Sequence, residues 1–535
     1  MIGEPTTTLG PAALQILIAR LSGVAREMSA VLRRASYSPN IKERADFSCA
    51  LFTPDGELLV QAENIPVHLG SMPASVAAVI ERFAGRLRPG DQVAVNDPFS
   101  GGTHLNDITI VAPCFVGSAE RGGGDGGDGD GGATLVGWVA NRAHHADVGG
   151  AAPGSMPAQA TEIFQEGLRL PPVVVDEAVR EILLANSRTP LERAGDLDAQ
   201  LGANRVGVAR LAQFVGQPLP EVVAYGERRM RAAIRAVGDG EWRFADQLDS
   251  AGSGERDPVP LAVRIAISGD EVLMDFTGSA PQTRGNVNAV AAVTTSAVAF
   301  ALRSALDPTM PANGGTMRPV HLIIPARSVL AAEAPAAVAA GNVEVSQRVA
   351  DLCLGALAAA CAERVGAASQ GTMNNLLIGG RGWVYYETVA GGQGGRAGKP
   401  GMSGVHTAMT NTKNTPVEAL ERTYPMRVLR YRLRRGSGGA GSAPGGEGIE
   451  RDLLLLEDVT VSLITERRVS PPWGLAGGGP GAVGENWLLP GGDEDRAERL
   501  PDKCTVELRA GDVLRMLTPG GGGWGSPSGP DLAPA

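Results

Sequence analysis

Cysteine is scarce in this sequence. Five cysteines occur in 535 residues, and no two of them have the spacing Cys-x-x-Cys. This usage supplies neither the disulfide framework of a small secreted domain nor the paired thiolates of a zinc ribbon. A fold stabilised by disulfides and a cysteine-based zinc site are therefore excluded.

Long apolar runs are also missing. The longest apolar stretch, Ala289–Leu302, contains Thr294, Thr295 and Ser296 and ends at Arg303. It is shorter than the roughly 20 residues that span a bilayer. The first residues lack the basic segment, apolar segment and small-residue cleavage site of an export signal. We therefore expect no membrane segment and a cytoplasmic location.

Dense basic tracts are absent as well. The chain has 48 Lys and Arg against 58 Asp and Glu, a formal net charge of −10. Nucleic-acid binding requires clustered cations that neutralise phosphates, so a nucleic-acid partner is not expected. An apolar fraction of 43% with 20% charged residues is typical of a globular protein.

The first third of the chain mixes helical and strand patterns. Apolar residues at helical spacing predict one amphipathic helix over Pro11–Ser36. Ser71 is a suitable N-cap for a second helix that extends to about Phe83. The tripeptide PDG at residues 54–56 predicts a turn between two strands. The predicted strands are Phe47–Phe52, Leu58–Gln61, Gln92–Val95, Asp107–Cys114 and Thr134–Asn141.

The rest of the chain favours helices first and strands last. Residues 173–237 are predicted to be helical, residues 241–276 to form strands, and residues 288–306 and 343–365 to form buried helices. After about Gly371 the sequence is rich in glycine and strand-like, with Gly-Gly pairs expected at turns. The segment RGGGDGGDGDGG at residues 121–132 is expected to be a surface insertion in a hairpin loop.

Because the blocks do not repeat as βαβ units, we predict an α+β fold, large and mixed, instead of a doubly wound sheet. Four regions are expected: an N-terminal α+β metal-site region at residues 1–170, a helical segment at 171–240, an α/β middle region at 241–370, and a Gly-rich, β-dominated region at 371–535.

Histidine is rare and unevenly placed. The chain has six, at positions 68, 104, 144, 145, 321 and 406. Two glycine-rich segments contain the spacing His-x-x-Asp, in the pairs His104 with Asp107 and His144 with Asp147. Glycine lets the backbone bend so that an imidazole and a carboxylate converge. Mixed histidine and carboxylate ligands suit Zn, Mn, Fe or Co, although a histidine bonded to a neighbouring carboxylate in an ordinary loop has the same spacing.

Other residues could join such a site. Adjacent side chains on a strand point to opposite faces, so at most one of His144 and His145 should face a metal. Glu43 and Asp46 belong to a Glu-Arg-x-Asp group that is typical of a solvated salt-bridge cluster. His68 precedes a predicted helix and is a possible general base, substrate donor or capping residue.

Nucleotide-binding motifs are not found. Residues 393–400, QGGRAGKP, approach the P-loop pattern but have Gln at the first required Gly and Pro in place of the Ser or Thr that contacts Mg²⁺. No Gly-x-Gly-x-x-Gly segment follows a strand and opens a helix, and there is no Gly-x-Ser-x-Gly elbow. If ATP is used, another chain is expected to bind it.

Many segments, in order, resemble the hydantoinase B/oxoprolinase family, which includes the C-terminal half of 5-oxoprolinase and the large subunit of acetone carboxylase. The matching segments include SPNIKERADFSCALF from Ser38, IPVHLGSM from Ile65, NDPFSGGTHLNDITIVAP from Asn96, HHADVGG from His144, GNVEVSQRV from Gly341, YYETVAGGQGG from Tyr385 and MSGVHTAMTNTKNTPVE from Met402.

This resemblance implies a metal-dependent component, of the B type, that opens a small cyclic amide such as 5-oxoproline or a hydantoin. An A-type subunit with an actin-like ATPase fold would bind ATP and phosphorylate the ring carbonyl oxygen, so a hetero-oligomer is expected. Phosphorylation is needed because an unstrained lactam is a poor electrophile. Two alternatives remain open: the large subunit of an ATP-dependent ketone carboxylase, or a non-catalytic scaffold for the ATPase.

The resemblance also implies site residues. In the acetone carboxylase relative one metal is held by Glu, His, Asp and His, and the matching positions are Glu43, His104, Asp107 and His144. One divalent ion (Mn, Zn or Fe) is expected there. His145 and Asp147 become candidates for orienting a ligand or transferring a proton, together with His68 as a catalytic residue. His321 and His406 stand alone, and only His406 lies in a family-like segment.

Overall fold

The computed structural model describes residues 9–62, 65–117 and 133–527, so the segment at 121–132 lies outside the described residues. Helix α1 spans Pro11–Ala35 and buries one apolar face, as the helical spacing predicts. In the described part of the chain four β-sheets combine with helices, most of the sheet pairs being antiparallel. The α+β fold class predicted from the sequence is confirmed.

A six-stranded antiparallel sheet forms the N-terminal part of the structure, in the spatial order β2-β1-β5-β4-β3-β6. Its strands are β1 Phe47–Phe52, β2 Leu58–Gln61, β3 Val93–Val95, β4 Asp107–Val116, β5 Thr134–His144 and β6 Val173–Val174. The β1–β2 hairpin has the predicted bounds. Strand β5 extends three residues beyond the prediction and thereby includes His144.

Helices cover both faces of this sheet because its strands alternate apolar side chains between the faces. The helices of the N-terminal half are α2 Pro39–Lys42, α3 Met72–Phe83, α4 Glu177–Ala185, α5 Pro190–Leu211 and α6 Pro220–Arg235. Phe47, Cys49 and Leu51 pack against the side that α1 and α5 cover. Ala50 and Phe52 pack on the opposite side, with α3.

A second sheet follows the helical segment, in the order β10-β9-β8-β7, and only its β9–β10 pair is parallel. Its strands are β7 Gly240–Leu248, β8 Val259–Ser268, β9 Glu271–Asp275 and β10 Val320–Ile323. Helix α8, Ser346–Cys361, packs on this sheet, and helix α7, Ala291–Leu306, packs on α8. A π-helical turn, Gly341–Val345, leads into α8.

The last part of the chain forms two more antiparallel sheets, in the orders β12-β11-β15-β18 and β13-β14-β19-β16-β17. The elements are β11 Asn375–Gly380, β12 Trp383–Thr388, α9 Val417–Thr423, β13 Met426–Arg434, β14 Gly448–Leu455, β15 Val459–Ile464, β16 Glu485–Leu489, β17 Glu498–Leu500, β18 Lys503–Leu508 and β19 Val513–Leu517. The largest apolar cluster contains residues from Ile65 to Ile464, so the N-terminal and C-terminal parts share a core.

Four glycine-rich segments at 391–395, 438–446, 474–481 and 519–525, here called the glycine segments, belong to none of these helices or strands. They bond directly to one another: Gly395 N donates to Gly522 O at 2.8 Å and Gly521 N donates to Gly446 O at 2.9 Å. A Cβ on Gly521 would lie 2.1 Å from Gln393 O. Backbones approach this closely only at glycine. The Gly-Gly pairs of these segments, which were expected at turns, therefore lie where backbones pack against one another.

Each helix among the described residues is too short or too polar to cross a membrane.

Candidate metal centre

Asp107 and His144 are register partners at the adjoining ends of β4 and β5. Opposed side chains on neighbouring strands share a face, so the sheet itself brings the two together. His144 Nδ1 lies 3.3 Å from Asp107 Oδ1, and both side chains are buried. These residues belong to different His-x-x-Asp pairs, and the strand pairing unites them across the two segments.

His104 reaches the same carboxylate from the loop that precedes β4, with Nδ1 3.3 Å from Asp107 Oδ2. Two glycines allow the tight path of this loop. Gly101 has a φ of 92°, and a Cβ on Gly102 would lie 2.4 Å from Asn96 O. Asn106 closes the loop by donating its amide to the carbonyls of His145 and Gly154.

His104, Asp107 and His144 form a group whose potential ligand atoms lie within 4.8 Å of one another. Two atoms bound to one tetrahedral metal at about 2.0–2.1 Å are separated by about 3.3 Å. The Nδ1 atoms of His104 and His144 lie 3.3 Å from the two oxygens of Asp107, which is compatible with this separation. Neither ring nitrogen of His104, nor Nε2 of His144, has a hydrogen-bond partner among the described residues. The residues therefore fit a divalent metal ion.

His68 completes this group of imidazoles. It lies in the turn Pro66–His68, where Nε2 is 3.3 Å from Asp107 Oδ2 and Nδ1 is 2.9 Å from Ser48 Oγ. Burial lowers the pKa of the His68 and His144 imidazoles. Burial opposes the charge of the Asp107 carboxylate, but the surrounding histidines hold its pKa well below its ordinary value.

The segment that contains Glu43 and Asp46 runs beside this centre. Asn40 donates its amide to the carbonyl of His144 at 2.7 Å, and His144 N donates to Asp46 O at 3.1 Å. Asp46 is buried and lines a cavity of about 20 Å³ with His68, Asp107 and His144. Glu43 is half-buried at the end of α2, and both Glu43 and Asp46 lie outside the group of three potential ligands identified among the described residues.

His145 and Asp147 lie outside this group as well, and their contacts hold the neighbouring backbone. His145 Nε2 is 2.8 Å from Gln200 Oε1, on the side of the strand opposite to its neighbour. Asp147 accepts hydrogen bonds from the backbone nitrogens of Gly149 and Gly154. The guanidinium of Arg188 lies 3.0 Å from Asp147 Oδ2. A role for either residue in proton transfer stays a prediction.

Two residues beside the centre were not found by sequence reasoning. The Tyr386 ring stacks on His144 with centroids 4.5 Å apart, and its hydroxyl donates to Asn375 Oδ1 at 2.9 Å. Arg44 is buried, donates to the Tyr386 carbonyl at 2.8 Å and lies over the Tyr386 ring. Tyr386 lies more than 200 residues after His144, which left no spacing to detect, and Arg44 belongs to the Glu-Arg-x-Asp group whose pattern is typical of a solvated cluster.

The family model described as hydantoinase B/oxoprolinase matches residues 10–527. The chain belongs to this family. It is 38% identical to 5-oxoprolinase 1 of Arabidopsis thaliana over 96% of this chain, and the match spans 42% of that longer protein. It is 30% identical to the putative B component of a D-/L-hydantoinase from a Pseudomonas species, over 97% of this chain and 90% of the relative.

Two solved structures share this member's fold. The ATP-dependent caprolactamase of Pseudomonas jessenii matches with a TM-score of 0.88 and 28% identity, over 97% of this chain and 92% of the other. An acetone carboxylase in its nucleotide-free form matches with a TM-score of 0.85 and 19% identity, over 97% of this chain and 76% of that chain. The second likeness shows a common fold.

Proposed function

We propose that this chain is the metal-dependent B component of an ATP-dependent hydrolase that opens a cyclic amide. The observation that carries the proposal is the buried group of His104, Asp107 and His144, whose spacing fits one divalent ion. Membership of the hydantoinase B/oxoprolinase family supports the reaction class, and relatives named for 5-oxoproline, hydantoin and caprolactam hydrolysis support a ring amide as substrate.

We assign the ion to His104, Asp107 and His144, with Asp46 as the carboxylate that completes the set. Asp46 is preferred to Glu43 because it lines the cavity, whereas Glu43 lies at the end of α2. A divalent ion here would polarise a carbonyl group and lower the pKa of a water molecule. Manganese, zinc and iron all accept such ligands.

The other residues of the cavity orient His68 and limit the space that is open to water. Ser48 fixes the ring of His68 through Nδ1, and Nε2 faces Asp107 Oδ2 at 3.3 Å beside the cavity. The His68 imidazole is proposed to accept a proton from a water molecule that attacks the activated carbonyl carbon. The cavity volume of about 20 Å³ accommodates little more than one water-sized group. Bulk water is thereby kept away from the reacting carbon.

A separate A-type ATPase chain is proposed to bind ATP and to phosphorylate the ring carbonyl oxygen. The chain covers nearly all of the Pseudomonas relative, which is named as one component of a hydantoinase, but less than half of Arabidopsis 5-oxoprolinase 1. The sequence itself has no P-loop or Rossmann motif. The assembly is therefore proposed to be a hetero-oligomer in which phosphorylation and hydrolysis occur on different polypeptides.

The test is co-expression with an A-type ATPase subunit, followed by measurement of ATP hydrolysis and ring opening with 5-oxoproline, hydantoin and caprolactam. We expect at least one ring to stimulate ATP hydrolysis in step with formation of its open-chain acid. ATP turnover that is indifferent to every cyclic amide would contradict the proposal. A requirement for bicarbonate with a ketone substrate would instead identify a carboxylase.

Variants distinguish a catalytic subunit from a scaffold without catalytic function. His104→Ala and Asp107→Ala should abolish ring opening while the complex with the ATPase subunit still elutes intact from size exclusion. Unchanged turnover in both variants would favour the scaffold. His321→Asn is the matched control, because His321 is exposed and contacts only Glu271 in the described structure.

A further inference from the structure

A larger chamber of about 380 Å³ adjoins the metal centre. Thr410 lines both this chamber and the small cavity that contains Asp107 and His144. The chamber is also lined by residues 366–369 and by Gln393 and Gly394 of the first glycine segment. The chamber is therefore a space beside the metal ligands that is large enough for a small ring.

Unpartnered polar groups line the interior of this chamber. Both ring nitrogens of His406 and Nε1 of Trp473 are buried without a hydrogen-bond partner in the described structure. Burial, and the positive charge of Arg44, lower the pKa of His406 to about 4, so its imidazole is neutral at pH 7. A neutral imidazole has one donor and one acceptor nitrogen, and the indole is a donor only.

The mouth of the chamber is positively charged. Arg364 and Arg396 line it and are exposed, and no carboxylate lies within ion-pair distance of either guanidinium among the described residues. The one acidic lining residue, Asp351, is buried and already pairs with Arg467 at 3.0 Å. The unbalanced charge of the chamber is thus positive and lies at its entrance.

We propose that this chamber binds the ring substrate and selects cyclic amides that carry a carboxylate. His406 and Trp473 pair with the N–H and C=O groups of the ring amide, and Phe300 and Leu354 contact its methylene groups. Arg364 and Arg396 bind the carboxylate, since a guanidinium matches a carboxylate in charge and in bidentate geometry. The inference rests on the proposed function, because the ring must then reach the metal centre past Thr410.

The experiment compares two pairs of rings that differ by a carboxylate: 5-oxoproline with 2-pyrrolidinone, and hydantoin-5-acetate with hydantoin. KM and kcat are measured for the complex with its ATPase subunit, and binding to the same complex without ATP is measured by calorimetry. We expect the anionic member of at least one pair to bind about tenfold more tightly. Arg364→Gln/Arg396→Gln should remove that preference by raising KM for the anionic ring.

Arg381→Gln is the matched control, because Arg381 is exposed on the β11–β12 turn and lies outside the chamber. His406→Leu should weaken binding of the anionic and the neutral ring alike. Equal affinity for both members of each pair, or a preference that survives the double arginine variant, would overturn the inference. Calorimetry separates this from failure of the proposed function, since binding with the expected preference but without ring opening would refute only the reaction.

Discussion

The carboxylate of Asp107 faces the imidazole of His144 as its register partner across β4 and β5, with 3.3 Å between Oδ1 and Nδ1. Strand register holds the two backbones opposite each other for as long as β4 and β5 remain hydrogen-bonded. The other two imidazoles, of His104 and His68, approach the second oxygen of the same carboxylate from a loop and a turn. Asp107 is therefore the residue on which the whole centre depends.

Removing the Asp107 charge should remove the metal. Asp107→Asn keeps the size of the side chain but removes one of the two proposed carboxylate ligands, and we expect metal affinity to fall at least about tenfold. Elemental analysis after dialysis measures this. A variant that retains one equivalent of metal and full activity would contradict the assignment.

The choice between two carboxylates is tested by a matched pair. Because Asp46 lines the cavity and Glu43 does not, Asp46→Asn should lower metal content and turnover more than Glu43→Gln. Metal content is measured by the same elemental analysis, with circular dichroism to check folding. Loss of the metal in Glu43→Gln alone would restore Glu43 as the ligand.

The stacked ring of Tyr386 should support His144. Tyr386→Leu removes the ring that lies 4.5 Å from the His144 imidazole, whereas Tyr386→Phe removes only the hydroxyl bond to Asn375. Such ring contacts contribute about 0.5–1.5 kcal/mol. We expect weaker metal retention in the leucine variant than in the phenylalanine variant, measured by competition with a chelator. Equal retention would show that the ring has no positioning role.

A buried carboxyl that belongs to neither cavity should make stability depend on pH. Burial raises the pKa of Glu166 to about 8, although its oxygens accept bonds from Val338 N and Ala339 N. The folded state then binds a proton that the unfolded state releases between its ordinary pKa of 4.5 and 8. The free energy of unfolding should therefore fall as pH rises across this interval, by roughly 1–4 kcal/mol, and level off above it.

Glu166→Gln should flatten this profile, because the amide does not titrate. Urea unfolding at pH 5.5 and pH 8 measures the difference, and Glu333→Gln is the control because Glu333 is exposed. Parallel pH profiles for wild type and Glu166→Gln would refute the prediction.

The glycine segments should not tolerate a methyl group. A Cβ on Gly521 would lie 2.1 Å from Gln393 O, so Gly521→Ala should lower the free energy of unfolding by about 1–3 kcal/mol or more. Gly202 lies within α5 with no atom within 4 Å of an added Cβ. Gly202→Ala should therefore raise stability by about 0.5–1 kcal/mol. Thermal unfolding of the two variants checks both signs.

Local sequence signals were sufficient to predict several helices and strands close to their observed bounds. The turn at residues 54–56 and the alternating residues around it predict β1 and β2 with their observed bounds, and the apolar spacing predicts α1 to within one residue. The His-x-x-Asp spacing drew attention to His104, Asp107 and His144, and the structure brings all three together.

Local sequence signals did not predict contacts between segments that lie far apart in the sequence. Asp147 has the same spacing to His144 that Asp107 has to His104, yet the chain turns after β5 and directs Asp147 to Arg188. Tyr386 reaches the centre only because β11 and β12 pack against the N-terminal sheet through the shared core. The glycine segments pack because four segments that are distant in the sequence lie against one another. Composition alone does not specify which segments make contact.

Glycine in the lining of this chamber has a consequence for how the chamber can change over evolution. A Cβ on Gly394 would lie 1.8 Å from Ala367 O, so replacing this glycine would disturb the surrounding backbone. Arg364 and Arg396 are exposed, and their replacement carries no such penalty. New ring specificities should therefore arise at the mouth of the chamber while its glycines stay unchanged.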